Sequence, residues 1–287
     1  MKKCFLILAL CCAVAFAGCK KDEIEITSQI PQNMEKAFPD HIFRAYVLEN
    51  FDTDGDGKIS KEEAEAVTKI IVVMCNIKSL EGIQYFTNLT HLYCYYNQLT
   101  TLDVSKNTQL TTLWCYSNQL TTLDVSKNTQ LTELYCYSNQ LTTLDVSGCT
   151  QLTELRCYSN QLTTLDVSGC TQLTELYCYS NQLTTLDVSK NTQLTLLYCY
   201  SNQLTTLDVS KNTQLKYLYC DSNQLTTLDV SKTNLGNSTR SYPLSCAPMS
   251  TLKTLYLKKG WSIKGITEDS GRSTTFIPAQ TQIVFVD

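Results

Sequence analysis

The sequence predicts a solenoid of the α/β class, in which mostly short parallel β-strands stack on one side and irregular segments cover the convex side. Residues 89–235 contain seven copies of a 21-residue unit. Each copy has apolar residues, nearly all leucine, at offsets 1, 4, 11 and 14. A fixed period of this length with this spacing is typical of leucine-rich repeats, whose coils are stable only when stacked.

The strand of each coil is expected at a Leu-x-Cys segment, such as residues 113–115. Because side chains alternate across a strand, offsets 4 and 6 should point into the core, and offsets 3, 5 and 7 onto the concave face. The asparagine at offset 9, from Asn97 to Asn223, is expected to satisfy backbone groups of its own coil and the next coil.

The repeats resemble the bacterial leucine-rich repeats typified by the internalins, and residues 80–90 are similar to the opening repeats of that family. The sequence departs from the family pattern at offset 6, where it has cysteine instead of the usual leucine. The resemblance implies the fold over about half of the chain, and no particular ligand, because such scaffolds host many partners.

The first 18 residues predict an export signal peptide, with Lys2 and Lys3 followed by an apolar run over residues 4–17. That run is shorter than the roughly 20 residues of a membrane-spanning helix. Residues 16–19 resemble a lipobox, which would make Cys19 the acylated first residue of a bacterial lipoprotein, with residues 19–35 as lipid attachment and tether. Ordinary signal cleavage after residue 17 is the alternative.

The acidic pair Asp22 and Glu23 behind Cys19 is similar to the surface-export signal of some Gram-negative lipoproteins. It predicts a protein anchored by lipid in the outer membrane and exposed on the cell surface. A periplasmic location and a simple solvated linker are the alternatives.

Residues 36–75 are expected to form a helical cap. Pro39 and Asp40 precede a segment with apolar residues at helical spacing, which are Ile42, Phe43, Tyr46, Val47 and Phe51. A second helix is expected over about residues 60–69. It would lay four side chains against the first coil, which are Ala64, Val67, Ile70 and Ile71.

Residues 52–63, between these helices, match the twelve-residue EF-hand calcium loop. Calcium prefers six to eight oxygen ligands. The expected ligands are three aspartates, one backbone carbonyl, one hydroxyl or its bound water, and one bidentate glutamate, at Asp52, Asp54, Asp56, Lys58, Ser60 and Glu63.

Part of this loop pattern has an explanation without metal, because Ser60 and Glu63 also form a capping box. The three aspartates at a spacing of two residues have no such explanation, since nothing nearby offsets their mutual repulsion. Gly57 permits the sharp turn and Ile59 should face the core. The sequence therefore predicts one structural Ca²⁺.

Fifteen cysteines in an exported protein would ordinarily suggest disulfides. Seven of them recur at the inward offset 6, where stacked side chains point in parallel, so small apolar filling is the expected role. Metal binding is disfavoured because no Cys-x-x-Cys pair is present. Cys149 and Cys170 replace asparagine at offset 19 in adjacent coils, and they are the one pair for which a disulfide is considered.

No catalytic constellation is recognisable, and neither His41 nor His91 lies in a defensible motif. We therefore expect a protein that is not an enzyme. The net charge of −4 without a basic cluster makes nucleic acid an unsuitable partner.

Comparison of the seven copies places their differences at outward strand positions, with aromatic residues prominent. Tyrosine and tryptophan suit sugar rings or protein hot spots, so a protein or glycan ligand is expected on the concave face. The predicted ligand-binding residues are Tyr93, Tyr95, Trp114, Tyr116, Tyr135, Tyr137, Arg156, Tyr158, Tyr177, Tyr179, Tyr198, Tyr200 and Tyr219.

The predicted function is that of a non-enzymatic cell-surface binding protein, adhesin-like or ligand-capturing. A structural spacer or surface-coat lipoprotein is the alternative, because aromatic columns also stabilise a sheet. Residues 76–235 would form the repeats, and residues 236–287 a C-terminal cap with a last repeat strand at 252–257 and a closing strand at 282–286.

Overall fold

The computed structural model describes residues 30–235, 243–246, 248–260, 277–278 and 280–287. The predicted signal peptide (1–18) and Cys19 lie outside these residues. The helices are α1 (Met34–Ala37), α2 (His41–Phe51) and α3 (Lys61–Ala66), with a short 3-10 helix at Ile83–Tyr85. No helix in this described part is long and apolar enough to cross a membrane.

Twelve strands follow the helices in the described chain. They are β1 (Lys69–Ile71), β2 (His91–Tyr93), β3 (Thr112–Trp114), β4 (Glu133–Tyr135), β5 (Glu154–Arg156), β6 (Glu175–Tyr177), β7 (Leu196–Tyr198), β8 (Tyr217–Tyr219), β9 (Thr227–Asp229), β10 (Leu244–Ser245), β11 (Thr254–Lys258) and β12 (Gln282–Val286).

The strands form two parallel sheets. The larger sheet has nine strands, in the order β1 to β8 followed by β10, and the smaller has the order β12-β11-β9. In the larger sheet each repeat residue lies opposite its counterpart in the next coil, as Leu134 does opposite Leu155. The predicted leucine-rich repeat solenoid, with short parallel strands and few helices, is confirmed.

The core follows the strand alternation. In the coil of residues 131–151, six inward side chains have no exposed surface, which are Leu131, Leu134, Cys136, Leu141, Val146 and Cys149. Their counterparts in the neighbouring coils stack above and below them, so one continuous apolar core runs along the solenoid. A single coil could not enclose such a core by itself.

The asparagine at offset 9 stabilises the turn after each strand. The Asn160 amide nitrogen donates to the carbonyl of Cys157 in its own coil and to that of Cys136 in the preceding coil. Its carbonyl accepts from Leu141 N–H, also in the preceding coil, at 3.0 Å. The predicted contact with the next coil is therefore wrong. Backbone N–H groups point toward the following coil, so they meet the asparagine of that coil.

The N-terminal cap starts with α1 and α2 and packs on the first coil. The Asp40 side chain accepts from the N–H groups of Ile42 and Phe43 and so caps α2. Gly82, at φ 105°, lies against Phe38, and an added Cβ would come within 2.2 Å of that ring. Only glycine allows this close approach.

Helix α3 is shorter than the sequence predicted. It ends at Ala66, and residues 69–71 form β1, the first strand of the large sheet. Val67 already has an extended backbone, and the branched residues that follow favour a strand. Ala64, Val67 and Ile70 are buried as expected, but Ile71 is 43% exposed because it points to the concave side.

At the C-terminal end, the strands expected over residues 252–257 and 282–286 lie at β11 and β12. These two strands pair with each other, and β11 also pairs with β9, apart from the large sheet. Strand β10 instead pairs with β8 and ends the large sheet.

Candidate functional site

Six tyrosines at offset 7 form a continuous stack along the concave face. We call them the tyrosine row: Tyr95, Tyr116, Tyr137, Tyr158, Tyr179 and Tyr200. Neighbouring ring centroids are 4.2 to 4.3 Å apart, and the ring planes differ by 9 to 12°. A strand spacing of about 4.8 Å brings identical rings from successive coils close to stacking distance, so the repeat itself produces the row.

Stacking decides which part of each ring can meet a ligand. Each interior ring covers the faces of its two neighbours, and all six side chains are half-buried. Ring edges and hydroxyl groups therefore form the surface. The interior ring faces are closed to a ligand, because each is already covered by its neighbour in the row.

Burial and mutual hydrogen bonding change the acidity of these phenols. Burial, followed by hydrogen bonds with Tyr158 and Tyr116, raises the pKa of the Tyr137 hydroxyl. Burial raises the pKa of Tyr116 to about 12, against the effect of its hydrogen bond with Tyr137. The hydroxyls of Tyr116 and Tyr137 are therefore neutral at physiological pH.

A second line at offset 5 is less regular, and we call it the mixed row: Tyr93, Trp114, Tyr135, Arg156, Tyr177, Tyr198 and Tyr219. Trp114 stacks on Tyr135 at 4.8 Å, and Tyr198 on Tyr219 at 4.3 Å. The Arg156 guanidinium lies over the rings of Tyr135 and Tyr177, at 4.5 and 4.7 Å. The cation thus takes the place of an aromatic ring.

Three carboxylates at offset 3 lie beside the mixed row on consecutive coils, and we call Glu133, Glu154 and Glu175 the glutamate stripe. Glu133 accepts from the Trp114 indole N–H at 3.3 Å, and Glu175 from the Tyr177 hydroxyl at 2.8 Å. Glu154 accepts from Arg156 Nε at 2.6 Å. One guanidinium among three carboxylates leaves the centre of the face negative, and Arg156 itself is already paired.

The aromatic surface extends beyond the residues that the sequence predicted. The Tyr96 ring lies 5.7 Å from that of Tyr95 and 5.4 Å from that of Tyr116. Comparison of the copies at offsets 3, 5 and 7 missed it because Tyr96 stands at offset 8, where later coils have serine. The tyrosine at offset 8, in place of the serine of the later coils, is the sequence feature that could have identified Tyr96.

The predicted calcium loop brings three of its carboxylates together. One oxygen from each of Asp52, Asp54 and Glu63 lies within 4.8 Å of the others. Asp56 does not join this group, and its carboxylate instead accepts from Lys58 N–H at 2.8 Å. Ser60 is also engaged locally, since its hydroxyl donates to Glu63 at 2.9 Å.

The loop backbone has the turns that this ligand set needs. Gly55 and Gly57 have φ values of 74° and 77°, and Ile59 is buried as predicted. The Glu63 carboxylate accepts hydrogen bonds from Ser60 and Thr53. Slight burial would raise the pKa of Glu63, but these hydrogen bonds outweigh it and lower the pKa to about 2. Thr53 is a partner that the sequence analysis missed.

The seven inward cysteines form a ladder of free thiols with no exposed surface, and we call them the cysteine ladder: Cys94, Cys115, Cys136, Cys157, Cys178, Cys199 and Cys220. Burial raises the pKa of Cys115 and Cys157 to about 12. This agrees with the predicted role as apolar filling.

Cys149 and Cys170 are also buried free thiols, so the disulfide considered for them is absent. The Cys170 sulfur lies 3.4 Å from the Val146 carbonyl of the preceding coil. In the equivalent place the Asn128 amide donates to the Val104 and Asn107 carbonyls. Each thiol therefore replaces an asparagine at its backbone contact.

These features define the class of the molecule, which is a leucine-rich repeat protein with internalin-like repeats. Residues 108–148 and 150–191 match the family model described as leucine-rich repeats in two copies.

Particular relatives can then be named. A segment of 77 residues is 46% identical to internalin J of Listeria monocytogenes, which is 27% of this chain and 8% of internalin J. A solved functional domain of internalin J, described as including a cysteine ladder, is 36% identical, with 79% of this chain and 57% of that chain covered and a TM-score of 0.46. A leucine-rich repeat protein of Leptospira interrogans is 26% identical, with coverage of 70% and 51% and a TM-score of 0.56. The chain thus spans only part of these relatives.

Proposed function

We propose that this protein is a non-enzymatic, cell-surface binding protein that captures a protein ligand on its concave face. The observation that carries the proposal is the alignment of two rows on one sheet. The tyrosine row and the glutamate stripe run parallel along this sheet with the mixed row between them, and only Arg156 offsets the three carboxylates of the stripe. Such a face offers hydrogen bonds along one line and negative charge along another.

The geometry favours a protein segment over a glycan. Sugar rings bind aromatic residues by lying on ring faces, and the interior faces of the tyrosine row are covered at 4.2 Å. An extended polypeptide can donate backbone N–H groups to phenol oxygens, and its lysine or arginine side chains can pair with carboxylates. We therefore expect a ligand with basic side chains.

We also propose that the loop of residues 52–63 holds one structural Ca²⁺. The donor set fits, because three carboxylates converge and hard oxygen ligands are what calcium prefers. Asp52, Asp54, Asp56, Lys58, Ser60 and Glu63 would hold the ion. The ion would offset the repulsion between the carboxylates and fix α2 relative to α3, next to the first coil.

Calcium binding is tested by thermal unfolding of the purified protein with calcium and with a chelator. We expect calcium to raise the unfolding midpoint by several degrees at concentrations of roughly 1 mM, as for extracellular modules. The D52N/D54N variant should unfold at the same temperature in both conditions. Equal midpoints for the wild type with and without calcium would contradict the site.

The cellular location is likewise a proposal. Export by the segment of residues 1–18 and acylation at Cys19 would anchor the protein in the outer membrane, with the solenoid exposed on the cell surface. Mass spectrometry of the native membrane-extracted protein tests this. We expect an N-terminal peptide that starts at Cys19 and carries acyl chains, whereas an unmodified N-terminus at Gly18 would contradict it.

Ligand binding is tested with a panel of purified matrix proteins, cell-surface proteins and glycans. The key variant is E133Q/E154Q/E175Q, which removes the charge of the glutamate stripe and keeps its shape. The matched control is D145N/D166N/D187N, which removes three exposed carboxylates from the same coils on another side of the solenoid. We expect the first variant to lose a protein hit and the control to keep it.

The competing function is a structural spacer without a specific ligand, because stacked aromatic residues also stabilise a sheet. The W114A/Y135A/Y177A variant separates the two. A binding protein would lose its ligand and remain folded, whereas a spacer would lose stability and would show no ligand in the panel.

A further inference from the structure

The third residue after each strand from β1 to β8, at offset 8, has the same unusual backbone in every coil. Its φ is positive, between 53° and 57°, from the first coil to the seventh repeat. In six coils this residue is serine, which are Ser117, Ser138, Ser159, Ser180, Ser201 and Ser222. In the first two coils it is Met74 and Tyr96.

Large side chains are poorly suited to this position. Left-handed backbone is uncommon for residues other than glycine, and a bulky side chain there is an outlier that costs stability. The first two coils therefore depart from the serine of the other six at some cost. A departure of this kind is the pattern expected where function, and not folding, selects the residue.

Both side chains are exposed. Met74 is 66% exposed and Tyr96 47%, and Ile71, three residues before Met74, is 43% exposed. These are three of the four exposed large hydrophobic residues among those that the structure describes. We call Ile71, Met74 and Tyr96 the apolar patch.

The apolar patch is continuous with the concave face. Met74 N–H donates to the Tyr95 carbonyl at 3.2 Å, which places Met74 beside the second coil. Tyr96 contacts the rings of Tyr95 and Tyr116 at the first end of the tyrosine row. Ile71 lies opposite Tyr93 of the mixed row.

We propose that the apolar patch is the anchor site for an aliphatic or aromatic side chain of the protein ligand. This inference rests on the proposed function and identifies the ligand further. The same segment would then continue along the tyrosine row and place a lysine or arginine at the glutamate stripe. An exposed apolar cluster at one end and carboxylates in the middle give the face a direction, so the ligand binds in one orientation.

The spacing of the two features sets the sequence of such a ligand. Tyr96 belongs to the coil of β2 and Glu154 to that of β5, three coils further along. Three coils at about 4.8 Å span roughly 14 Å along the solenoid, and the five positions between offsets 3 and 8 add roughly 16 Å across it. The two features are therefore roughly 20 Å apart, so the ligand should have an apolar residue and a basic residue about six positions apart in an extended chain.

A protein segment fits this surface better than the other possible occupants. The glutamate stripe would repel an anionic membrane surface laid along the face. It would equally repel the same stripe of a second copy placed on it. A polypeptide with both apolar and basic side chains complements both features at once.

The test uses a display library of random peptides, long enough to span from β1 to β6, selected on the purified protein. The selected peptides are then measured on M74S/Y96S, which introduces the serine of the other six coils and should not disturb the fold. The matched control is Phe285→Ser, which removes an equally exposed apolar side chain, 48% exposed, in β12. Binding to E133Q/E154Q/E175Q is measured in parallel.

We expect the selected peptides to carry an apolar and a basic residue about six positions apart. They should bind M74S/Y96S at least roughly tenfold more weakly, as for a buried hot-spot residue, and Phe285→Ser unchanged. The unfolding midpoint of M74S/Y96S should equal or exceed that of the wild type, because two bulky side chains leave left-handed backbone. The midpoints of the other variants should match the wild type.

Three results would overturn the inference. Peptides that need the glutamate stripe but bind M74S/Y96S as tightly as the wild type would leave the proposed function intact and refute the anchor site. If no selected peptide depended on the glutamate stripe or on the apolar patch, the proposed function and the anchor site would both be refuted. Self-association of the protein that M74S/Y96S abolishes would show that a second copy occupies the patch.

Discussion

The cysteine ladder and the tyrosine row come from the same coils and repeat with the same period, yet they lie on opposite sides of the sheet. The thiols have no exposed surface, whereas the tyrosines are half-buried and expose their edges. The recurrence of cysteine on the inner side has one explanation, which is the limited space in the core. The recurrence of tyrosine on the outer side has two explanations, since the stack stabilises the sheet and also presents hydroxyls to a ligand.

This difference means that substitutions on the two sides should have different consequences. An inner substitution should change the free energy of unfolding alone. An outer substitution should reduce stability to the extent that it disrupts ring stacking, and should weaken ligand binding to the extent that it removes hydroxyls or charges. Variants on each side of the sheet can therefore separate the two effects.

The largest effect is expected for Cys157→Asp. The side chain is fully buried, and a carboxyl group there would lie in the apolar core without a polar partner suited to it. We expect a loss of about 4 kcal/mol or more in the free energy of unfolding, measured in urea. Cys157→Ala, which leaves only a small cavity, should cost about 1 kcal/mol. Equal costs for the two would show that the ladder is accessible to water.

A smaller effect is expected for Tyr158→Ala. The Tyr158 ring stacks on Tyr137 and Tyr179, both at 4.2 Å, and each aromatic pair contributes about 0.5 to 1.5 kcal/mol. We expect a loss of about 1 to 3 kcal/mol in urea unfolding. Tyr158→Phe keeps the ring and should cost far less. If both variants had wild-type stability, the row would contribute nothing to the fold.

The tyrosine row should also make stability depend on alkaline pH. The ordinary pKa of tyrosine is 10.0, and that of Tyr116 is raised to about 12 in the folded protein. Stability from this shift is complete below pH 10 and is lost as the pH rises through about 12. Absorbance at the phenolate band should therefore show row tyrosines ionising later than in the denatured chain. Simultaneous ionisation in both states would contradict the hydroxyl contacts.

The smallest expected effect is a change of rate in thiol modification, without change of stability. Ten of the eleven described cysteines are buried, and Cys75 is the half-buried one. At neutral pH we expect a thiol reagent to modify Cys75 slowly and the ladder only on unfolding. Rapid reaction of ladder thiols, identified by peptide mapping, would show that the coils open locally.

The sequence allowed much of this fold to be predicted, because a fixed period dictates that equivalent residues stack. Burial of Cys136 and exposure of Tyr137 both follow from strand alternation alone. The end of α3 at Ala66 could not be predicted, because Ile70 and Ile71 suit a buried helix face as well as a strand. Pairing with β2 decides between them, and that is a tertiary contact.

The site was less predictable than the fold. The positions of the tyrosines follow from the repeat, but the orientation of their rings depends on side-chain torsions that no pattern specifies. The approach of Asp52, Asp54 and Glu63 was expected from the loop motif, whereas the role of Met74 and Tyr96 depends on a backbone angle. That positive φ angle is a property of the folded coil and cannot be read from the repeat pattern.

The central claim is that the tyrosine row is a ligand-binding surface and not only a scaffold. The most direct measurement is the affinity of the quadruple variant Y116F/Y137F/Y158F/Y179F for a protein ligand found in the binding panel. These substitutions keep the stack and remove its hydroxyls. We expect an unchanged unfolding midpoint together with an affinity at least roughly tenfold lower. Wild-type affinity in this folded variant would contradict the claim and leave the row a structural element.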